Sequence, residues 1–130
     1  MSISVTKAYR DENVQAAYDR FKQTWPADKC AFCDISREPI YKGTYFNVVK
    51  NDFPYFAYDG VIVVDHLLII PHNHIYALKE CSEEARQELI NCISTFEADN
   101  YNVYIRAPGN DRRTVAHHHG HLIKLGTVEV

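Results

Sequence analysis

Four of the chain's seven histidines fall within five consecutive positions, His117, His118, His119 and His121, with Gly120 the one interruption. Thr114 and Val115 precede them, and Leu122, Ile123 and Leu125 follow. These residue types favour strands, so the sequence predicts a strand over 114–125. Side chains alternate along a strand, which puts His117, His119 and His121 on one face and His118 and Leu122 on the other. Apolar flanks inside the chain exclude an appended histidine tag. A three-histidine metal centre with an open position is a competing reading. Against it, residues i, i+2 and i+4 of a strand spread over about 13 Å, which one ion does not readily span.

The rest of the chain reads as one domain, 1–130, since 130 residues with 46% hydrophobic content supply a single core. Residues 1–28 form a helical extension: Val14, Ala17, Tyr18 and Phe21 recur at helical spacing until Trp25 and Pro26 end the pattern. The core, 29–125, begins with a cysteine-bearing turn. Strands are expected over 45–49, 55–58 and 61–70, where Tyr, Val and Ile are dense. Ser82 with Glu83 and Glu84 opens a helix whose buried stripe is Leu89, Cys92, Ile93 and Phe96. A strand over 101–106, a turn at Pro108 and Gly109 and the histidine strand complete the order β-β-β-α-β-β. This predicts an α+β fold, an antiparallel sheet of about five strands with helices packed on one face.

A net charge of −3 leaves no global positive field for non-specific nucleic-acid binding, so any phosphate must be held locally. The first twelve residues lack the apolar stretch of a secretory signal, and the longest apolar run, 61–71, is broken by Asp65 and His66. A soluble, cytoplasmic protein without a membrane segment is expected.

Cys30 and Cys33 have the Cys-x-x-Cys spacing that chelates one tetrahedral ion, but two thiolates are half of a closed site, and two histidines must complete it. Cys81 and Cys92 have no partner at chelating spacing and read as small buried hydrophobes. His66 reads as a hydrogen-bonded structural histidine, and Arg112 as a solvated loop residue.

At this point the sequence resembles a known superfamily. The stretch from His117 to Ile123 is similar to the His-x-His-x-His-x-x signature of the histidine-triad (HIT) proteins. The match extends to Asp65, His66, Leu67 and on to Pro71, His72, Asn73 and His74, which resemble that family's strand ending in Pro-x-x-His. Cys30 and Cys33, followed by Asp34 and Ile35, resemble its N-terminal turn. Together these pieces cover about residues 29 to 125.

The resemblance implies an enzyme acting at the α-phosphorus of a nucleotide conjugate, a hydrolase or nucleotidyltransferase with a covalent nucleotidyl-histidine intermediate. The middle histidine, His119, would be the nucleophile. A neutral imidazole can attack phosphorus if its other nitrogen donates to a fixed acceptor. His121, the backbone of Gly120 and Thr114 would stabilise phosphate charge, with His121 as donor or proton shuttle. Asp59 matches the acidic position by which relatives hold the ribose hydroxyls; a turn role in Asp59-Gly60 is its other reading. Arg106 and Arg113 stand where relatives usually carry neutral amides, and would grip a more anionic substrate bidentately.

HIT proteins and galactose-1-phosphate uridylyltransferases that keep the cysteine pair imply a structural zinc held by Cys30, Cys33, His74 and His117, with His72 as the substitute ligand. They also imply a homodimer. Two readings of other classes stand beside the enzyme: a nucleotide-binding, zinc-stabilised module that does not turn over, and a metal-dependent hydrolase that uses the triad as ligands.

Overall fold

A computed structural model describes residues 9–33 and 38–130. Asp34 and Ile35 of the N-terminal turn lie outside the described residues. The elements are helix α1 (Glu12–Thr24), strands β1 (Tyr41–Lys42), β2 (Phe46–Lys50), β3 (Ala57–Tyr58) and β4 (Val61–Pro71), a 3-10 turn (Leu78–Glu80), helix α2 (Glu83–Ala98), and strands β5 (Asn102–Tyr104) and β6 (Gly120–Glu129). All pairings are antiparallel, in the order β1-β2-β4-β6-β5, with β3 also paired to β4. The α+β class is as expected, with six strands in place of about five.

Alternation sorts the sheet into two faces. Val48, Leu67, Ile69 and Leu122 point to one side, where Ala85, Leu89 and Cys92 of α2 cover them with Phe46 and Tyr101. Helix α2 starts where the sequence says: the Ser82 hydroxyl accepts from the Ala85 N–H, and Glu83 and Glu84 sit in the positive first turn. On the other face Val49, Leu68 and Ile70 pack with Phe32. His66 and His121 share that face, because β4 and β6 pair Leu68 with His121 and His66 with Ile123.

Helix α1 is capped by the Asp11 carboxylate, which accepts from the N–H groups of Asn13 and Val14. None of its residues is buried. Tyr18 and Phe21 instead pack at a tilt against Phe53, beside the histidines, on the side opposite α2.

The expected strand over 114–125 is corrected: β6 begins at Gly120 and runs on to Glu129. Residues 114–119 leave the ladder because they bond to the turn after β4 instead. The His118 N–H donates to the Ile75 carbonyl at 2.7 Å, and the His117 ring donates to the Pro71 carbonyl at 2.9 Å. These bonds replace strand pairing for that segment.

Candidate active site and metal centre

The three histidines expected on one face do line one cavity, of about 1090 Å³, and His118 does not. Only His121 belongs to a strand. His117 and His119 are brought there by the 114–119 crossing, and the His119 and His121 rings are 5.3 Å apart.

His117 is fully buried. Its Nε2–H donates to the Pro71 carbonyl, so its Nδ1 carries the lone pair, 3.5 Å from Cys30 Sγ and 3.4 Å from Cys33 Sγ. His74 Nδ1 lies 3.1 Å from Cys33 Sγ, and the four ligand atoms are all within 4.8 Å of one another. An ion with bonds of about 2.3 Å to sulfur and 2.0 Å to nitrogen sets tetrahedral S···N edges of roughly 3.5 Å. The residues therefore fit a four-coordinate metal ion, with the carbonyl of Pro71 orienting one ligand from behind. Among the described residues this is the group able to hold an ion; His119 and His121 do not join it. His72 does not substitute for His74, since its Nε2 is bonded to Asn47 Oδ1 at 3.0 Å.

His119 is nearly buried, at 9% exposure. Its Nδ1–H donates to the His117 carbonyl at 3.0 Å, and Phe32 of the cysteine turn meets its ring edge-on at 4.9 Å. That bond leaves Nε2 as the acceptor nitrogen. Burial, followed by the charges of Arg113 and Arg106, pushes the ring's pKa down to about 4 against the opposing pull of the His117 carbonyl. His119 is therefore a neutral imidazole at pH 7.

His121 lies between His66, whose Nε2 is 2.9 Å from its Nδ1, and Arg106, whose Nη1 is 3.0 Å from its Nε2. Burial is the main cause holding both histidines uncharged, with His66 at about 3. Arg106 also donates to the Tyr55 hydroxyl at 3.1 Å. Thr114 lines the cavity with its hydroxyl 2.6 Å from that of Tyr18.

Three expected contacts are placed elsewhere. Arg113 does not line the cavity; it stacks over Tyr76 at 4.8 Å and donates to the Ala116 carbonyl at 2.9 Å, while Arg112, read as a loop residue, does line it. Gly120 is not among the lining residues either; a Cβ there would lie 3.0 Å from Ile69 and Ile105, on the face away from the histidines. Asp59 is exposed in the β3–β4 turn with φ 54°, followed by Gly60 at φ 79°, and is not among the lining residues. Positive φ at both positions is what a two-residue hairpin turn requires.

Sequence reasoning missed Arg10, Tyr18, Asn51 and Tyr55, which all line the cavity. It also left out the bond from His66 to His121. Alternation along 61–70 was the available signal for His66, since it shares a face with Leu68, which pairs with His121.

No protein-family model matches the chain. Solved structures do resemble it. A HIT family hydrolase from Clostridium thermocellum aligns with TM-score 0.56 at 23% identity, over 78% of this chain and 94% of the other. A HIT family hydrolase from Legionella pneumophila Philadelphia 1 aligns with TM-score 0.52 at 21% identity, over 78% and 95%. A Hit-like protein from Bartonella henselae aligns with TM-score 0.53 at 18% identity, over 93% and 86%. What is shared at these identities is architecture: the chain has the histidine-triad fold. Among its described residues no helix is long and apolar enough to cross a membrane.

Proposed function

We propose that the chain is a nucleotide hydrolase or nucleotidyltransferase that forms a covalent nucleotidyl intermediate on His119. The observation that carries this is the bond from His119 Nδ1 to the His117 carbonyl, which leaves a neutral ring with its Nε2 lone pair in a cavity. Nε2 attacks the α-phosphorus, and the charge that develops on the phosphoryl oxygens meets donors from His121 and Thr114. Water or a second acceptor then cleaves the N–P bond. The likeness to proteins named as hydrolases agrees with this reading at the level of fold.

The ion is proposed to be zinc, held by Cys30, Cys33, His74 and His117. Four protein ligands leave no open position, so zinc here would tie the cysteine turn to the catalytic segment. His117 then has no free nitrogen for proton transfer. The reading of the triad as a catalytic metal site is disfavoured, because the ligand group takes in one of its three rings.

The test is rapid quenching with an adenylylated substrate. Wild type gains one nucleotidyl mass, mapped to residue 119. His119→Asn keeps an N–H for the His117 carbonyl, so it retains the fold and gains no label. Labelling of His119→Asn at the wild-type level would remove His119 from the chemistry.

A further inference from the structure

Two imidazoles lie in line between two groups that can only donate. The Tyr55 backbone N–H donates to His66 Nδ1 at 3.0 Å. A neutral imidazole that accepts at one nitrogen carries its proton on the other, so His66 Nε2–H donates to His121 Nδ1 at 2.9 Å. By the same rule His121 Nε2 is protonated. Facing it at 3.0 Å is Arg106 Nη1, which has only N–H to offer. Four protons thus meet at three junctions, and the last one opposes donor to donor.

An acceptor that takes both N–H groups resolves the conflict. The Tyr55 end is fixed backbone and His66 is 2% exposed, so the acceptor belongs at Arg106. That guanidinium has a further buried donor, Nε, without a partner among the described residues. Arg10 approaches from the segment before α1. Its Nε donates to the Phe53 carbonyl, and its guanidinium lies 4.3 Å from the centre of the Tyr18 ring and 5.1 Å from that of Tyr55. Among the described residues neither guanidinium forms an ion pair with a carboxylate, and both line the same cavity as His119.

We infer that Arg106 and Arg10, with His121, form an anion subsite for a phosphorylated leaving group, so that the bond broken at the α-phosphorus is a phosphoanhydride. The inference rests on the reading of His119 as the attacking group. Nε2 of His119 bonds to the α-phosphorus as the bridging P–O bond breaks. The electron pair stays on the departing phosphate oxygen, where two guanidiniums and the His121 N–H offset its charge. A β-phosphate that already carries one proton leaves as hydrogenphosphate, so no protein group has to deliver one to that oxygen. Water then cleaves the N–P bond, and the sum is nucleoside diphosphate plus water giving nucleoside monophosphate, phosphate and a proton. An amine leaving group would carry no negative charge for the guanidiniums and would require protonation.

The experiment uses the full metal-loaded chain. It compares kcat/KM for ADP with that for adenosine 5′-phosphoramidate in wild type, Arg106→Gln and Arg10→Gln, and follows inorganic phosphate binding by calorimetry. Wild type is expected to favour ADP, and each variant to lower the ADP-to-phosphoramidate ratio at least about tenfold, the effect of one charge-assisted hydrogen bond. Phosphate binding should weaken in parallel. A wild-type preference for the phosphoramidate, or a ratio unchanged in both variants, would overturn the subsite. If neither substrate is turned over, the catalytic reading fails, and the phosphate titration still decides. Weaker binding in the variants sustains the anion subsite, and equal binding in all three proteins overturns it.

Discussion

His117 donates from Nε2 to the carbonyl of Pro71 at 2.9 Å, and this one bond turns its Nδ1 toward Cys30 and Cys33. The end of β4 thereby orients one residue of the group able to hold an ion, far away in sequence. One equivalent of zinc per chain is expected by metal analysis, and Cys30→Ser should lose most of it. Apparent binding energies of zinc at closed thiolate-imidazole sites are on the order of 10 kcal/mol, so the variant should also lose several kcal/mol of stability in urea. Full zinc content in Cys30→Ser would refute this ligand set.

Burial of neutral histidines makes the fold acid-sensitive. His66 is 2% exposed and its pKa is pushed down to about 3, chiefly by burial and next by the charge of Arg10. A histidine whose folded pKa lies below its unfolded value takes up protons preferentially in the unfolded chain. Stability is therefore fully present above about pH 6.5 and falls as pH drops from there toward 3. At pH 5 the loss from this one residue is about 2 kcal/mol. Urea unfolding at pH 7 and pH 5 should show at least that loss in wild type, since the other buried histidines add to it, and a loss smaller by about this amount in His66→Phe. Equal losses in both proteins would mean that His66 is not held neutral by the fold.

The sheet and α2 were legible because their signals are local. Ser82 caps where it should, and the strand-rich run over 61–70 forms β4 with its two faces sorted by alternation. The crossing of residues 114–119 was not legible. Its geometry is set by bonds from His117 to Pro71 and from His118 to Ile75, and these long-range partners override a strand propensity that the local sequence does carry. Arg113 and Arg112 exchanged places for a similar reason. The turn at Asn110 accepts the backbone N–H of Arg112, and Tyr76 offers its ring face to Arg113. The metal set followed from resemblance, because spacing alone names only Cys30 and Cys33.

Asp59 is expected to act through the backbone. With φ at 54° it is held in a region that glycine and asparagine tolerate and β-branched residues do not. Asp59→Asn should leave stability within about 0.5 kcal/mol, whereas Asp59→Val should cost about 1–2 kcal/mol. Neither should change KM for ribonucleotides relative to their 2′,3′-dideoxy analogues. A selective rise for ribonucleotides in Asp59→Asn would return Asp59 to the ribose.

Gly120 carries the last prediction, because its place in the sequence suggested a phosphate contact and its surroundings say packing. Where β6 begins, it pairs with Ile69, and a Cβ would stand 3.0 Å from Ile69 Cγ2 and Ile105 Cγ1. Those are branched side chains in a packed layer, so they yield only by shifting rotamer or strand. Gly120→Ala should cost about 1–3 kcal/mol by overpacking while zinc content stays at the wild-type level. Adding Ile105→Ala removes one of the two opposing groups. It should recover part of the cost, visible as a favourable coupling in a double-mutant cycle measured by urea unfolding. If Gly120→Ala instead leaves stability unchanged and abolishes labelling of His119, the glycine serves the phosphate and the packing argument fails.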